Sequence, residues 1–201
     1  DTFSTLSEAY RILRTFIEFL MGEKVEGKGR VIMITSTGPQ EGKTLTSCNI
    51  AISLAQAGRK VLLIDADLRR PTVHRLFGLK RNPGLSEILM GTNTLTEAKK
   101  TMGDILVGET SQWDHMLTGR MLDRLEIVTT GMHTPTPAEL LASDSMKRLL
   151  EEGKLHYDYV IVDTPPVLPV TDARTLGILA DATFFIYRAG KTARRALTRA
   201  R

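Results

Sequence analysis

Residues that handle phosphate and its counter-ion stand close together near the start of the chain. Gly38-Pro39-Gln40-Glu41-Gly42-Lys43-Thr44-Leu45 brings glycines, a lysine and a hydroxyl into one short stretch. A turn of this kind between a strand and a helix aims backbone N–H groups and a helix N-terminus at one point, which favours a polyanion. Lys43 would reach the outer phosphates of a nucleotide, and the Thr44 hydroxyl would bind Mg2+. The fit to G-x-x-x-x-G-K-T is loose, because Gly38 and Gly42 are four apart rather than five. Pro39 has no N–H and removes one possible phosphate donor. Glu41 places a negative charge beside the phosphates, and its side chain is expected to face solvent or to pair with a cation.

Carboxylates suited to the same chemistry come at the ends of apolar runs. Val61-Leu62-Leu63-Ile64 ends in Asp65-Ala66-Asp67, and Tyr159-Val160-Ile161-Val162 ends in Asp163. Ligands of a parallel sheet bind beyond the carboxyl ends of its strands. The phosphate loop leaves such an end too, so the loop and the carboxylates converge on one edge. An apolar run ending in Asp brings a carboxylate to Mg2+ or to its bound waters. Any one of these aspartates would pass as a turn or cap residue; together with the loop they do not. Arg69 and Arg70 follow directly, and would either neutralise phosphate charge or pair with surface carboxylates. His74, His115, His133 and His156 lack zinc-like spacing. The chain has neither G-x-S-x-G nor G-x-G-x-x-G, which argues against hydrolase and dinucleotide chemistry.

The elements that must position these residues follow from periodicity. Strand Val31–Thr35 leads into the loop and helix Thr44–Gln56 leads out, ended by Gly58. The next apolar run makes this a βαβ unit with a parallel sheet. Further strands are predicted at Leu125–Thr129, Tyr159–Asp163 and Thr183–Tyr187. Helices are predicted at Ser86–Met90, Ala138–Leu150, Asp172–Leu179 (capped by Thr171) and Lys191–Arg201. Ahead of the first strand, Leu6, Tyr10, Leu13, Ile17 and Leu20 recur at helical spacing and predict a core-facing helix over Leu6–Leu20. Thr5 and Glu8 look like its capping box. Glu8, Arg11 and Arg14 form a separate polar stripe. Gly22–Arg30 reads as a linker, and Leu106–Leu122, with Trp113 and His115, as an insertion or docking loop.

Composition sets the limits. The chain has 201 residues, 42% of them hydrophobic and 25% charged, which suits one α/β domain. Its net charge is +4, much of it from Arg194, Arg195, Arg199 and Arg201. That cluster reads as a solvated helix face rather than a nucleic-acid site, and 5% aromatic residues offer no stacking platform. The single cysteine, Cys48, cannot form an internal disulfide and is expected to be buried in a protein of a reducing, cytoplasmic compartment. No apolar run approaches the ~20 residues that span a bilayer.

Taken together these motifs resemble the bacterial tyrosine kinases of exopolysaccharide and capsule synthesis. Thr35–Thr44 is similar to that family's variant Walker A loop, Val61–Pro71 to its Walker A′ motif, and Tyr157–Pro166 with Thr171-Asp172-Ala173 to its Walker B region. Asn82–Ser86 and Pro137–Leu141 resemble its connecting segments. The resemblance implies a P-loop NTPase fold of the deviant-Walker (SIMIBI) type, with a mostly parallel sheet flanked by helices. It implies ATP and Mg2+ as cofactors, with residues 38–45 cradling the phosphates. Thr44, Asp67 and Asp163 would hold the metal, largely through waters, and Asp65 would accept the tyrosine proton. Glu8, Arg11 and Arg14 match the family's E-x-x-R-x-x-R element, which implies a ring-like homo-oligomer. The implied partners are a membrane-embedded chain-length regulator that activates the kinase and a protein tyrosine acceptor. The kinase would then work at the inner face of the membrane, through that partner or a missing N-terminal membrane segment.

The chain departs from the family in two places. The family ends in a tyrosine cluster, whereas here Tyr10, Tyr157, Tyr159 and Tyr187 all fall inside predicted elements. It also continues into a further helix and strand about where this chain stops. The expectation is a single domain truncated at its C-terminus, a different acceptor, or a protein that is not a kinase. Two other classes remain open on the residues. An ATPase switch of the chromosome-partitioning or septum-site type would carry a signature lysine where this chain has Gly38. A nucleotide-responsive scaffold would need little chemistry of its own.

Overall fold

The computed structural model of the protein describes residues 2–22, 28–101, 103–104 and 123–200. The expected Leu106–Leu122 loop and most of the expected linker lie outside them. In chain order the elements are α1 (Thr2–Met21), β1 (Arg30–Ser36), α2 (Lys43–Gln56), β2 (Val61–Asp65), α3 (Val73–Leu76), α4 (Leu85–Leu89) and α5 (Leu95–Ala98). Then come β3 (Leu125–Val128), α6 (Pro137–Leu141), α7 (Asp144–His156), β4 (Tyr159–Asp163), α8 (Asp172–Gly177), β5 (Ala182–Ile186) and α9 (Arg194–Ala200).

The strands order as β3-β2-β4-β1-β5, and every pairing between them is parallel. The sheet is thus wholly rather than mostly parallel among the described residues; the antiparallel bridge Lys100–Ile127 lies outside the strands on one side. Strands β2 and β4 are buried along their whole length and β1 from Val31 onward, because helices cover both faces, and each reads as an apolar run that turns polar only at its ends. On one face, Ile17 of α1 and Ile50 and Leu54 of α2 pack on Ile32, Ile34 and Leu63. On the other, Leu149 and Leu150 of α7 and Leu176 of α8 pack on Val31, Met33, Leu62 and Val160. Each fully buried Ile or Leu contributes about 2 kcal/mol of apolar transfer.

Handedness explains the two layers. The β1-to-β2 crossover passes β4 in one direction, and the β4-to-β5 crossover passes β1 in the other. Both are right-handed only if their helices lie on opposite faces. This is where α2 and α8 are found. The loops leaving β1 and β4 therefore open side by side at one sheet edge, where Ile34 is registered against Asp163 and Asp65 against Asp163.

Several boundaries differ from the sequence expectation. Helix α1 starts at Thr2, so Thr5 lies inside it and not at a cap; nothing from Thr2 to Thr5 breaks a helix. Leu20 is 62% exposed rather than in the core, because it follows Phe16 by one turn on the opposite stripe. Met21 packs in the core with Tyr10, Leu13 and Ile17 instead; the Leu6 side chain lies outside the described set. The expected helix Ala138–Leu150 is two helices, because Ser143 accepts a bond from the Met146 N–H and starts α7 anew. Thr171 precedes α8 without a side-chain capping bond. Strand β5 ends at Ile186, leaving Tyr187 outside it and 56% exposed.

Candidate functional site

Strand β1 delivers the chain into the turn over residues 37–42. The Ser36 hydroxyl donates to the Gly38 carbonyl at 2.8 Å, and Gly42, at φ 95°, adopts the left-handed backbone that opens α2. Glu41 is only half-buried and, contrary to the expected cation pairing, meets no cation among the described residues. Its carboxylate accepts the N–H groups of Thr37 at 2.9 Å and Gly38 at 3.0 Å. It also accepts the Thr37 hydroxyl and, in a very short bond, that of Thr192 ahead of α9. Burial by itself would raise Glu41, but the bonds from Thr192, Gly38 and Thr37 bring it below its ordinary 4.5. An anionic acceptor inside the loop thus fixes the loop's first N–H groups, which a short turn would otherwise leave unpaired.

Lys43, at the first turn of α2, reaches across the sheet edge. Its Nζ lies 2.9 Å from Asp67 Oδ2 and 3.5 Å from Asp163 Oδ2, and donates to the Thr44 hydroxyl at 3.1 Å. Burial would lower its pKa, yet Asp163 and Asp67 lift it above 10.5, so it stays charged. Ser47, one turn further along α2, donates to Asp163 Oδ1 at 2.9 Å.

Asp65 lies below this cluster and is fully buried. Its oxygens accept the N–H groups of Asp67 at 3.2 Å, Thr72 at 3.3 Å and Val73 at 3.1 Å. Burial first, and then the neighbouring Asp163, push its carboxyl up to about 8. Asp67 accepts the Arg70 N–H at 3.0 Å. Arg69 turns away from the cleft to pair with Asp172, while Arg70 lines it.

The space between the loop and the β2–α3 segment is a cleft of about 710 Å3, lined by Pro39, Gln40, Gly42, Lys43, Thr44 and Leu45 on the loop side. Gly38 and Glu41 support the loop from behind through the bonds above. The donor set suits Mg2+. The Thr44 hydroxyl, Asp67 and Asp163 offer hard oxygens, and Asp163 Oδ2 is buried with no hydrogen-bond donor among the described residues, only the Lys43 ammonium 3.5 Å away. Among the described residues no cluster of His, Cys, Asp or Glu would hold a metal by itself.

The expected oligomerisation residues are not all alike. Glu8 and Arg11 form an exposed pair at 3.2 Å. Arg14 turns inward, donating to the Ser53 carbonyl of α2 at 3.3 Å and lying 3.8 Å from Glu18.

A family model described as an AAA domain matches residues 29–193. The tyrosine-protein kinase YwqD of Bacillus subtilis is 41% identical over 186 residues, which cover 92% of this chain and 70% of that protein. The chain belongs to the bacterial tyrosine-protein kinases. The tyrosine-protein kinase etk of Escherichia coli is 38% identical over 91% of this kinase, which spans only 22% of that relative's length. In three dimensions the kinase superimposes on the kinase domain of Escherichia coli ETK with a TM-score of 0.81 at 36% identity, covering 96% of this chain and 68% of that one. The septum-site protein MinD of Pyrococcus horikoshii gives a TM-score of 0.58 at 20% identity, covering 79% of this chain and 57% of that one, and shares the P-loop fold alone.

Of the residues singled out in the sequence, Pro39, Gln40, Gly42, Lys43, Thr44, Leu45 and Asp67 line this cleft, whereas Gly38, Glu41, Asp65 and Asp163 lie behind its lining, and the supporting contacts were missed. Ser47 and Thr192 carry no motif signal of their own, and Asp172 falls in a resembling segment without any sign of its partner Arg69. Ser47 lies on the face of α2 that follows Lys43 by one turn, and helical spacing alone would have found it.

Proposed function

We propose that this kinase domain binds Mg-ATP on residues 38–45 and transfers its γ-phosphoryl group to a tyrosine hydroxyl. One observation carries the assignment of roles: a charged lysine held between two carboxylates beside a phosphate-loop turn. Lys43 neutralises the β- and γ-phosphates, and the loop orients them. Thr44, Asp67 and Asp163 would hold Mg2+, which would supply charge neutralisation at the transferring group. The phenol oxygen forms the new P–O bond, the bond between the γ-phosphorus and the bridging oxygen breaks, and ADP leaves with that oxygen. Asp65 takes the phenolic proton. Such chemistry requires positioning and charge neutralisation more than covalent help.

The test is mass-spectrometric detection of phosphotyrosine after incubation with Mg-ATP and a tyrosine peptide, with Asp65→Asn and Lys43→Met alongside. Unchanged labelling in both variants would sink these roles. The backbone N–H bonds to Asp65 favour a second reading, in which it positions the β2–α3 segment. A base shifts the pH–rate profile when changed to Asn; a positioning residue lowers the rate without moving the profile.

The wider setting belongs to the same proposal. The kinase assembles into a ring-like homo-oligomer through α1 and regulates exopolysaccharide or capsule export together with a membrane-embedded regulator. No helix among the described residues is long and apolar enough to cross a membrane, so such a partner or a further segment would bring it to the inner face. If Arg11→Glu leaves the mass of the oligomer unchanged in light scattering, the α1 interface fails. The septum-site type of switch is disfavoured because Gly38 supplies no charge where that type needs a lysine. A scaffold without chemistry would bind ATP and never label tyrosine.

A further inference from the structure

The two walls of the nucleotide cleft differ in charge. The loop side carries Lys43, whose ammonium is taken up by Asp67 and Asp163. The opposite side, formed by the segment after β2 and by α3, presents Arg70, Pro71, Thr72, His74 and Arg75. Asp67 at the floor is the one carboxylate among the described lining residues. Arg70 and Arg75 are both exposed, and neither has an ion pair among the described residues. The Arg75 guanidinium donates to the Pro71 carbonyl at 3.2 Å, which holds it over the rim. Burial, then Arg75 and Arg81, keep His74 below its ordinary 6.5. At neutral pH the charge of this rim is therefore that of its arginines. Flat apolar surface lies beside them: Pro39, Pro71 and Pro166 line the cleft, and Leu45 is 45% exposed.

A phenol that attacks in line with the breaking bond arrives from the side away from the leaving ADP. An aromatic ring needs an apolar wall, which the prolines supply. Carboxylates flanking the tyrosine match the planar fork of an unpaired arginine. We propose that Arg70 and Arg75 form an acceptor-recognition rim that selects tyrosines flanked by acidic residues, with the ring seated against Pro71. The inference rests on the kinase reading and adds the chemical class of its acceptor.

The experiment compares tyrosine peptides with flanking Glu, Ala or Lys, at saturating Mg-ATP, on the wild-type chain and on the double variant Arg70→Glu, Arg75→Glu. The expected wild-type result is a preference for the Glu over the Lys peptide of about tenfold in kcat/KM, expressed in KM. The double variant inverts that order. A ratio of peptides on one enzyme is insensitive to partial unfolding or to weakened ATP binding. The neutral pair Arg70→Gln, Arg75→Gln, which brings the ratio close to one, serves where charge reversal prevents folding. Equal rates on all three peptides overturn the rim, as does a Glu preference that survives charge reversal. A variant that raises KM for ATP with the peptide ratio unchanged makes the rim an ATP-steering device and overturns it too. No phosphotyrosine on any peptide would overturn the kinase reading itself, and this inference with it.

Discussion

Arg69 grips Asp172 with two N–H···O bonds, of 2.8 Å and 3.1 Å. The pair joins the segment after β2 to the first turn of α8. It thereby ties the stretch that carries Asp67 to the one that follows Asp163. Asp172 is fully buried, whereas the Arg69 side chain is 40% exposed.

That asymmetry predicts unequal costs. Arg69→Ala leaves a buried carboxylate without its cation and costs about 2 kcal/mol, discounted for the exposure of the arginine. Asp172→Ala leaves an arginine that can turn to water and costs about 1 kcal/mol. Urea denaturation of both variants checks the order; equal costs would contradict it.

Lys43→Met removes the ammonium between Asp67 and Asp163. The phosphates lose their neutralising partner and the carboxylates face one another unrelieved. Phosphotyrosine formation is expected to fall about 100-fold or more. A quantitative labelling assay with Mg-ATP measures it, and a loss of less than about threefold would remove Lys43 from the transition state.

Glu41 sits below its ordinary 4.5 in the folded chain, so it binds a proton less readily folded than unfolded. Its stabilisation is present above 4.5 and is lost as the pH falls through the folded value. Glu41→Gln lacks this term. Melting curves of the two proteins are expected to differ most near neutral pH and to converge as the pH falls below 4.5. A gap that stays constant across that range would show that the Glu41 charge contributes nothing.

Two glycines of the resembling motifs are predicted to behave differently. A Cβ on Gly84 would stand 2.3 Å from both the Gly131 nitrogen and the Thr129 carbonyl oxygen, which are backbone atoms that cannot move aside. Gly84→Ala is expected to cost about 3 kcal/mol. A Cβ on Gly38 meets nothing within 4 Å. Gly38→Ala is expected to change stability by about 0.5 kcal/mol or less. Denaturation midpoints of the two variants decide it, and a Gly84→Ala protein as stable as the wild type would refute the packing argument.

The sequence by itself determined the local features. The apolar runs of β1, β2 and β4, the loop between β1 and α2, and the aspartates at the strand ends are all set by neighbours in the chain. Periodicity and turn chemistry act over a few residues, so they are legible there. The buried Cys48 followed in the same way. Local rules were weakest where two of them competed. Ser143 divided a run that otherwise reads as one helix, and Met21 took the core position that spacing had assigned to Leu20.

Only the tertiary structure decided which distant groups meet. Ser47 and Asp163 are 116 residues apart, Arg69 and Asp172 are 103, and Glu41 and Thr192 are 151. Each contact depends on where a right-handed crossover lays its helix on the sheet, which no local window contains. The same packing turned Arg69 away from the cleft and left Arg70 in it, although the two stand side by side in the sequence.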